Sequence, residues 1–435
     1  MSTSDPSGTA DLAKAARQLC GQVEEGQDAL AALPCKAERS PAEQLLAERV
    51  HARSRRARAA FMRAYAEEIY AELTDGCRRQ VHHCDLLYAA AATYPGLVPD
   101  RELVAAERRY IQAAKEGHER DQGIFLAGLL RSPAAGRHLI DVARMPLARA
   151  CRLIGGFRSS GRVELGTVTV VRADGIGWVT VHNARYLNAE DDNLGVDLET
   201  AVDLVLLDDA IGVGVLRGGP MSHPRYVGRR VFSSGMNLTH LYHGQISFAD
   251  FVFGREVGYL AKIFRGHHSD DDRPAAEKPW LAAVDTFAIG GGTQLLLVFD
   301  LVVAETEAFF ALPAAQEGIL PGAANLRLPR LAGPGLARQL IIGGRRLRAS
   351  EPEARLICDA VVPADAMDDE VRTAAERLAE PGVVPNRHML HAAIEPPDVF
   401  REYLAEFAAL QAERMYSADV ISQLEQEWIR RGSRG

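Results

Sequence analysis

From Ala42 to Leu73, in AEQLLAERVHARSRRARAAFMRAYAEEIYAEL, apolar residues recur three and four apart, and the same spacing returns between Asp100 and Leu130. That period lines one face of a helix, and Ala, Arg, Glu and Leu favour the helical state. Five or six helices are expected between about Pro41 and Ala150. Past Gly161 the period shortens to two in RVELGTVTVVRADGIGWVTVHN, where Ala173-Asp174-Gly175 separates two β-rich runs and predicts a hairpin. Helical and extended runs then alternate: VDLETAVDLVLLDD, IGVGVLRG, FADFVFGREVGYLAKIF, WLAAVDTFAI. Such alternation predicts an α/β layer with partly parallel strands. Helix returns in the last fifty residues. The expected organisation is a helical domain over 1–160, an α/β domain over 161–385 and a helical extension over 386–435.

Composition narrows the classes. The 435 residues are 47% hydrophobic and 25% charged, enough for two domains with a sizeable core. A net charge of −8 disfavours nucleic acid or an anionic membrane as main partner, while leaving room for an anion held by local arginines. The opening residues show no basic segment followed by an apolar one, and no run reaches membrane-span length, so a cytoplasmic protein is expected. Six cysteines at 20, 35, 77, 84, 151 and 358 form no CxxC pair and read as reduced thiols.

The stretch FAIGGGTQLLLVFD, Phe287 to Asp300, runs extended into three glycines and then opens a buried helix. Glycines at a strand-to-helix turn supply open N–H groups, unusual backbone angles and the positive end of a helix dipole. Two N–H groups converging on a thioester oxygen would stabilise its enolate, each donor typically contributing about 3–4 kcal/mol to the barrier. Tight strand-to-helix packing alone also explains a glycine triplet.

Two further segments change the balance. RRVFSSGMNLTHL, Arg229 to Leu241, resembles the A-F-x-A-G-x-D turn of the enoyl-CoA hydratase (crotonase) superfamily. VDTFAIGGGTQLLLVFDLVVAETEAFFALPAAQEGILPG resembles its G-x-x-x-G-G-G run through to the P-G turn, and LPRLAGPGLARQLIIGGRRLRASEPEARLICDAVV its next helix and final core strand. The likeness is collinear from about Arg162 to Pro381. It implies an α/β crotonase core, a ββα spiral, here with an N-terminal all-helical domain and C-terminal helices. It also implies an oxyanion hole made by the N–H groups of Met236 and Gly291 for an acyl-CoA thioester. The hydratases' two catalytic carboxylates fall on Gln294 and Ala314, neither of which can shuttle a proton. Glu317, three residues on, is a candidate displaced base or a turn residue beside Gly318.

Two clusters of metal-ligand types, HHSDDD at 267–272 and VHHC at 81–84, read as a polar loop and a helix surface, so no metal is expected. No nucleotide or flavin fingerprint follows a strand. A crotonase core with a long helical N-terminal region and a GGG-T-Q variant resembles the cofactor-independent dioxygenases of glycopeptide-antibiotic biosynthesis, which act on 3,5-dihydroxyphenylacetyl-CoA. The resemblance implies an enolate trapped by O₂, no cofactor, and a homo-oligomer, trimer or hexamer. It also brings Arg255 and Glu190 to the substrate ring, and Gln294 to a ring hydroxyl or the thioester region. Arg255 lies on a stripe with Phe248, Phe251, Val252, Tyr259 and Ile263, which suits an inward guanidinium or a stem lying over the core equally well. Glu190, beside Asp191 and Asp192, fits a ring contact or a helix N-cap. Leu238, Ile319 and Leu320 are candidates for a dry O₂ pocket, and Arg185, Arg217 and Arg265 for CoA phosphates. The alternatives are another acyl-CoA reaction, isomerisation or thioester hydrolysis, on the same hole, or a crotonase-fold binding protein without catalysis.

Overall fold

The computed structural model describes residues 6–269 and 275–432. It divides into two compact units that do not follow the chain's order. The first takes the residues up to Val142, together with Thr239–Asp250 and Arg401 onwards. It is helical: Pro6–Ala31, Pro41–Thr74, His83–Thr93, Arg101–Glu107 and Glu119–Arg131 are its longer pieces before residue 132. Ser40 starts the second of these with a reciprocal cap, its hydroxyl taking the Glu43 N–H while the Glu43 carboxylate takes the Ser40 N–H. The C-terminal segment belongs to this unit because its polar groups find their partners here. Arg401 Nη1 donates to Leu130 O at 2.6 Å, Gln112 Nε2 to Met415 O at 3.0 Å, and the Tyr416 hydroxyl to the Glu119 carboxylate.

The second unit, Ala143–Leu238 with Phe251–Phe400, holds the sheets. The strands are β1 (Arg162–Glu164), β2 (Val168–Ala173), β3 (Ile176–Val181), β4 (Val213–Gly218), β5 (Trp280–Val284), β6 (Phe287–Ile289), β7 (Leu301–Glu305), β8 (Phe309–Ala311), β9 (Arg346–Arg348) and β10 (Ala360–Val362). The main sheet runs β1-β2-β3-β4-β5-β7-β10; its first two pairings are antiparallel and the rest parallel. The hairpin turns where the sequence places it, with Asp174 and Gly175 both at positive φ. A second sheet, β6-β8-β9, carries the glycine run at its edge.

Both faces of the main sheet are covered, as parallel strands require. Alternate residues of β2, β3 and β5 pack with Leu198, Ala201, Val202 and Val205 of the helix Asp192–Leu207. On the other face Val213, Val215, Leu281 and Val303 meet Met367, Val371 and Ala375 of the helix Met367–Leu378. Helix Ala148–Ser160, on the helical side of the composition shift, belongs with this sheet: Ala150 and Phe157 join the core of β2 and β3. Gly214 leaves the space that the Trp280 ring fills on the neighbouring strand.

The run FADFVFGREVGYLAKIF is helical but not one helix. A π-type turn over Phe248–Phe253 leads into Gly254–Val257, Gly258 breaks the ladder, and Tyr259–Arg265 resumes it. The break rotates the residues before it relative to a continuous helix. Arg255 and Glu256, adjacent in sequence, are both buried because the segment is enclosed all round: every residue from Phe251 to Phe264 is buried.

Candidate active site

The site is built where two turns run side by side. Ser233 pairs in parallel with Ala288: Ser233 N–H donates to Phe287 O at 3.4 Å and Ile289 N–H to Ser233 O at 3.0 Å. The two turns still adjoin two residues further on, where a Cβ at Gly290 would lie 3.6 Å from Gly235 Cα. A Cβ at Gly235, φ +86°, would lie 2.9 Å from Ile289 O. Gly290 takes φ 53°, ψ −118°, a conformation that only glycine adopts without strain. A Cβ at Gly292 would collide with Ser233.

Neither the Met236 N–H nor the Gly291 N–H has an acceptor among the described residues. For Met236 the cause is its pairing with Glu190. Glu190 N–H donates to Gly235 O at 2.7 Å and Asn237 N–H to Glu190 O at 2.8 Å, so Met236's own N–H points away from that partner. For Gly291 the cause is its place as first residue of the helix Gly291–Leu296, where an N–H has no carbonyl behind it. That helix is six residues long, so the open N–H group rather than a macrodipole is what the turn offers.

Beside the turns lies a buried polar network. Arg255 Nη2 donates to Glu190 Oε2 at 2.6 Å and to Gly291 O at 3.3 Å, its Nε to the Tyr259 hydroxyl at 3.0 Å, and its Nη1 to Gln294 Oε1. The Tyr259 hydroxyl donates onward to Glu190 Oε2 at 2.7 Å. Gln294 Nε2 donates to Glu256 Oε1 at 2.6 Å, and Glu256 Oε2 accepts the Ala323 N–H at 3.1 Å. One guanidinium thus serves two carboxylates. Burial opposes the Arg255 charge, but Glu190, Tyr259 and Glu256 outweigh it and hold the guanidinium charged, above the ordinary arginine range. Burial, foremost, pushes the Tyr259 phenol well above its usual value.

Glu190 Oε1 is the lightly used atom of this set. Among the described residues it accepts only the Ser233 hydroxyl, at 3.3 Å, and a Cβ at Gly291 would stand 2.8 Å from it. Gly291 therefore gives this carboxylate access to the turn. The N-cap role falls to Asp191, whose Oδ1 accepts the Leu194 N–H at 3.1 Å, leaving Glu190 to face inward.

The structure brings together Glu190, Arg255, Gln294 and Gly291, with Met236 on the adjoining turn. It adds Tyr259, Glu256 and Ser233, which sequence reasoning did not assign. Tyr259 stands four residues after Arg255, a spacing that puts two side chains on one helix face and was a usable signal. Glu256 carried none. Of the apolar candidates, Ile319 is buried and Leu238 and Leu320 are half-buried. Ala314 begins the short helix Ala314–Glu317, and Glu317 ends it half-buried.

Two of the three arginines assigned to CoA phosphates are already committed. Arg217 Nε donates to Asp285 at 2.8 Å, and its other nitrogens reach Asp285 and Asp368. Arg265 Nη2 donates to Glu395 Oε1 at 2.8 Å and Glu395 O at 2.7 Å. Both are spent on internal carboxylates, whereas Arg185 is exposed, its guanidinium over the Tyr186 ring. His267 is likewise no polar-loop residue: it is buried with Nε2 2.8 Å from Asp203 Oδ1, while Asp270 to Asp272 lie outside the described residues. His82, His83 and Cys84 do not diverge around a helix axis, because His82 is the N-cap. Their ligand atoms lie within 4.8 Å of one another, and His83 Nε2 meets Ala249 O at 3.1 Å.

Residues 172–425 match the enoyl-CoA hydratase/isomerase family model. The chain is 51% identical over 415 residues, 95% of its own length and 94% of the relative's, to the (3,5-dihydroxyphenyl)acetyl-CoA 1,2-dioxygenase of Amycolatopsis orientalis. It is 31% identical to a probable enoyl-CoA hydratase of Rhizobium meliloti, over 49% of this chain and 75% of that one. Among solved structures, an enoyl-CoA hydratase/isomerase from Pseudoalteromonas atlantica superposes with a TM-score of 0.50 at 22% identity, covering 61% of this chain and 97% of the other, a likeness of fold.

Proposed function

The chain belongs to the enoyl-CoA hydratase/isomerase family, and we propose that it is a dioxygenase that converts 3,5-dihydroxyphenylacetyl-CoA and O₂ to 3,5-dihydroxyphenylglyoxylate and CoA without metal or organic cofactor. The observation that carries this reading is the 51% identity to such a dioxygenase over 95% of the chain, which takes in the helical region outside the family match. The site supports it. Two open N–H groups on adjoining turns suit a thioester oxygen, while Gln294 and Ala314 supply no carboxylate pair for adding water.

In this reaction a proton leaves the benzylic Cα, and the Met236 and Gly291 N–H groups hold the enolate oxygen. The electron-rich enolate passes one electron to O₂, and recombination gives a Cα peroxide. Its terminal oxygen attacks the thioester carbonyl and expels CoA as thiolate. The O–O bond then breaks as the second Cα proton leaves, placing one oxygen of O₂ in the ketone and the other in the carboxylate. The substrate is the reductant throughout. Glu190, Arg255 and Gln294 bind the two ring hydroxyls, Leu238, Ile319 and Leu320 keep the O₂ space dry, and Arg185 meets a CoA phosphate. No helix among the described residues is long and apolar enough to cross a membrane. A cytoplasmic homo-oligomer, trimer or hexamer, serving glycopeptide-antibiotic biosynthesis completes the proposal.

The experiment is O₂ uptake by protein stripped of metal with a chelator, in parallel with release of free CoA. Equal amounts of each are expected. Loss of uptake on chelation, with recovery on adding iron, would contradict the cofactor-free reading.

A further inference from the structure

Position 294 is Gln for a reason that lies 38 residues upstream. Glu256 is fully buried and has one carboxylate oxygen on the Ala323 N–H, 3.1 Å, and the other on Gln294 Nε2, 2.6 Å. The amide of Gln294 is thereby fixed in one sense, nitrogen towards Glu256 and oxygen towards Arg255 Nη1. With Nη1 so engaged and Nε on Tyr259, the guanidinium plane is set and Nη2 falls on Glu190 and Gly291 O. Gly322, at φ +49°, lies directly against this arrangement; any side chain there would strike both Gln294 Nε2 and Glu256 Oε1.

A glutamate at 294 would put a second carboxylate 2.6 Å from the first in a dry site, where both cannot ionise. We infer that Glu256 is a positioning residue of the proposed reaction, acting chiefly through Gln294 and also by its own 3.5 Å contact with Arg255 Nη1 to orient Arg255 and Glu190, and that it dictates the amide at 294. This rests on the dioxygenase reading for its catalytic consequence, though not for the pairing itself.

The polarity of the pair provides the test. In Glu256→Gln the new amide must keep its oxygen on the Ala323 N–H, which turns NH₂ against the Gln294 NH₂. In Gln294→Glu two carboxylates face each other. The exchange variant, Glu256→Gln with Gln294→Glu, restores the donor and acceptor of the bond between the two positions with the formal charge unchanged, losing only the long 3.5 Å contact of Arg255 Nη1 with position 256. Each single variant is expected to lose about tenfold or more in the turnover number for O₂ uptake, and the exchange variant to return to within about threefold of the parent. Gln294→Glu alone should regain activity as pH falls, since a proton shared between the two carboxylates removes their repulsion, a pH limb absent from the parent and from the exchange variant. Simple loss of structure would not give that limb.

Melting temperatures of the four proteins are measured alongside. If the parent takes up no O₂ with this thioester, the dioxygenase reading fails, and recovery of melting temperature in the exchange variant still decides the pairing. If a single variant does not fold, a folded exchange variant supports the pairing. Singles indistinguishable from the parent, or an exchange variant as impaired as the two losses combined, would overturn it.

Discussion

Arg255 makes five different bonds, to Tyr259, Gln294, Glu190, Glu256 and the Gly291 carbonyl, and a planar five-donor fork is the only side chain that meets all of them. Lys at this position offers a single charged point. Arg255→Lys is expected to fold and to lose about 100-fold in kcat/KM, read by O₂ uptake, while Arg255→Met strands the Glu190 charge in a dry site and should cost about 3–5 kcal/mol in chemical unfolding. Gly291→Ala brings a methyl group against Glu190 Oε1 and displaces a proposed oxyanion donor, so a fall of about 10²–10³ in kcat is expected with little change in stability. At this scale the sequence was legible where the resemblance reached. Glu190, Arg255 and Gln294 were named from it, and the fold brings them together across 104 residues of chain. Glu256 escaped because a neighbour in sequence normally points about 100° away around a helix. The internal pairings of Arg217 and Arg265 were not legible because their carboxylates, Asp285, Asp368 and Glu395, sit between 68 and 151 residues away. Nothing in local spacing reports such pairs.

The helix Tyr259–Arg265 is seven residues long, too short to stand by its own propensity, and it bears Tyr259. It is held from two sides. Lys262 Nζ reaches Glu199 at 2.8 Å and Asp203 at 2.9 Å on the helix Asp192–Leu207. From Val383–Ile394, Arg387 Nη2 donates to Ile263 O at 2.5 Å, and His391 Nδ1 meets Phe264 O at 2.6 Å with its ring stacked on Phe264. Burial, then the nearby Arg387 charge, lowers the His391 pKa to about 4. A histidine depressed in this way is neutral in the fold and charged in the unfolded chain between about pH 6.5 and about pH 4. The unfolded state binds the extra proton there, so stability declines as pH falls through that window. His391→Leu is expected to flatten this part of the stability curve, by up to about 1.4 kcal/mol per pH unit, in denaturant titrations at stepped pH. The hydrophobic period found this helical run, but not the break at Gly258, since the apolar stripe of Phe248, Phe251, Val252, Tyr259 and Ile263 runs across it.

The chain builds its helical unit from three separate stretches, which a linear reading of composition cannot see. The helices Pro397–Arg414 and Ala418–Gly432 form where the pattern indicates, yet Arg401 and Tyr416 find their partners at Leu130 and Glu119. A shortened chain starting at residue 143 would leave those groups unsatisfied, and limited proteolysis is expected to cleave it first within 401–432. The partly parallel character of the main sheet, by contrast, was foreshadowed by the alternation of period, because parallel strands need crossovers and the helical runs supply them. The central claim belongs to the entire molecule: an enolate formed beside Met236 and Gly291 is intercepted by O₂ and by nothing else. Turnover of 3,5-dihydroxyphenylacetyl-CoA under ¹⁸O₂ in ordinary water measures it most directly. The account predicts two ¹⁸O atoms in each molecule of 3,5-dihydroxyphenylglyoxylate and CoA released only as O₂ is consumed. CoA release under strict anaerobiosis, or a product bearing a single ¹⁸O, would contradict it.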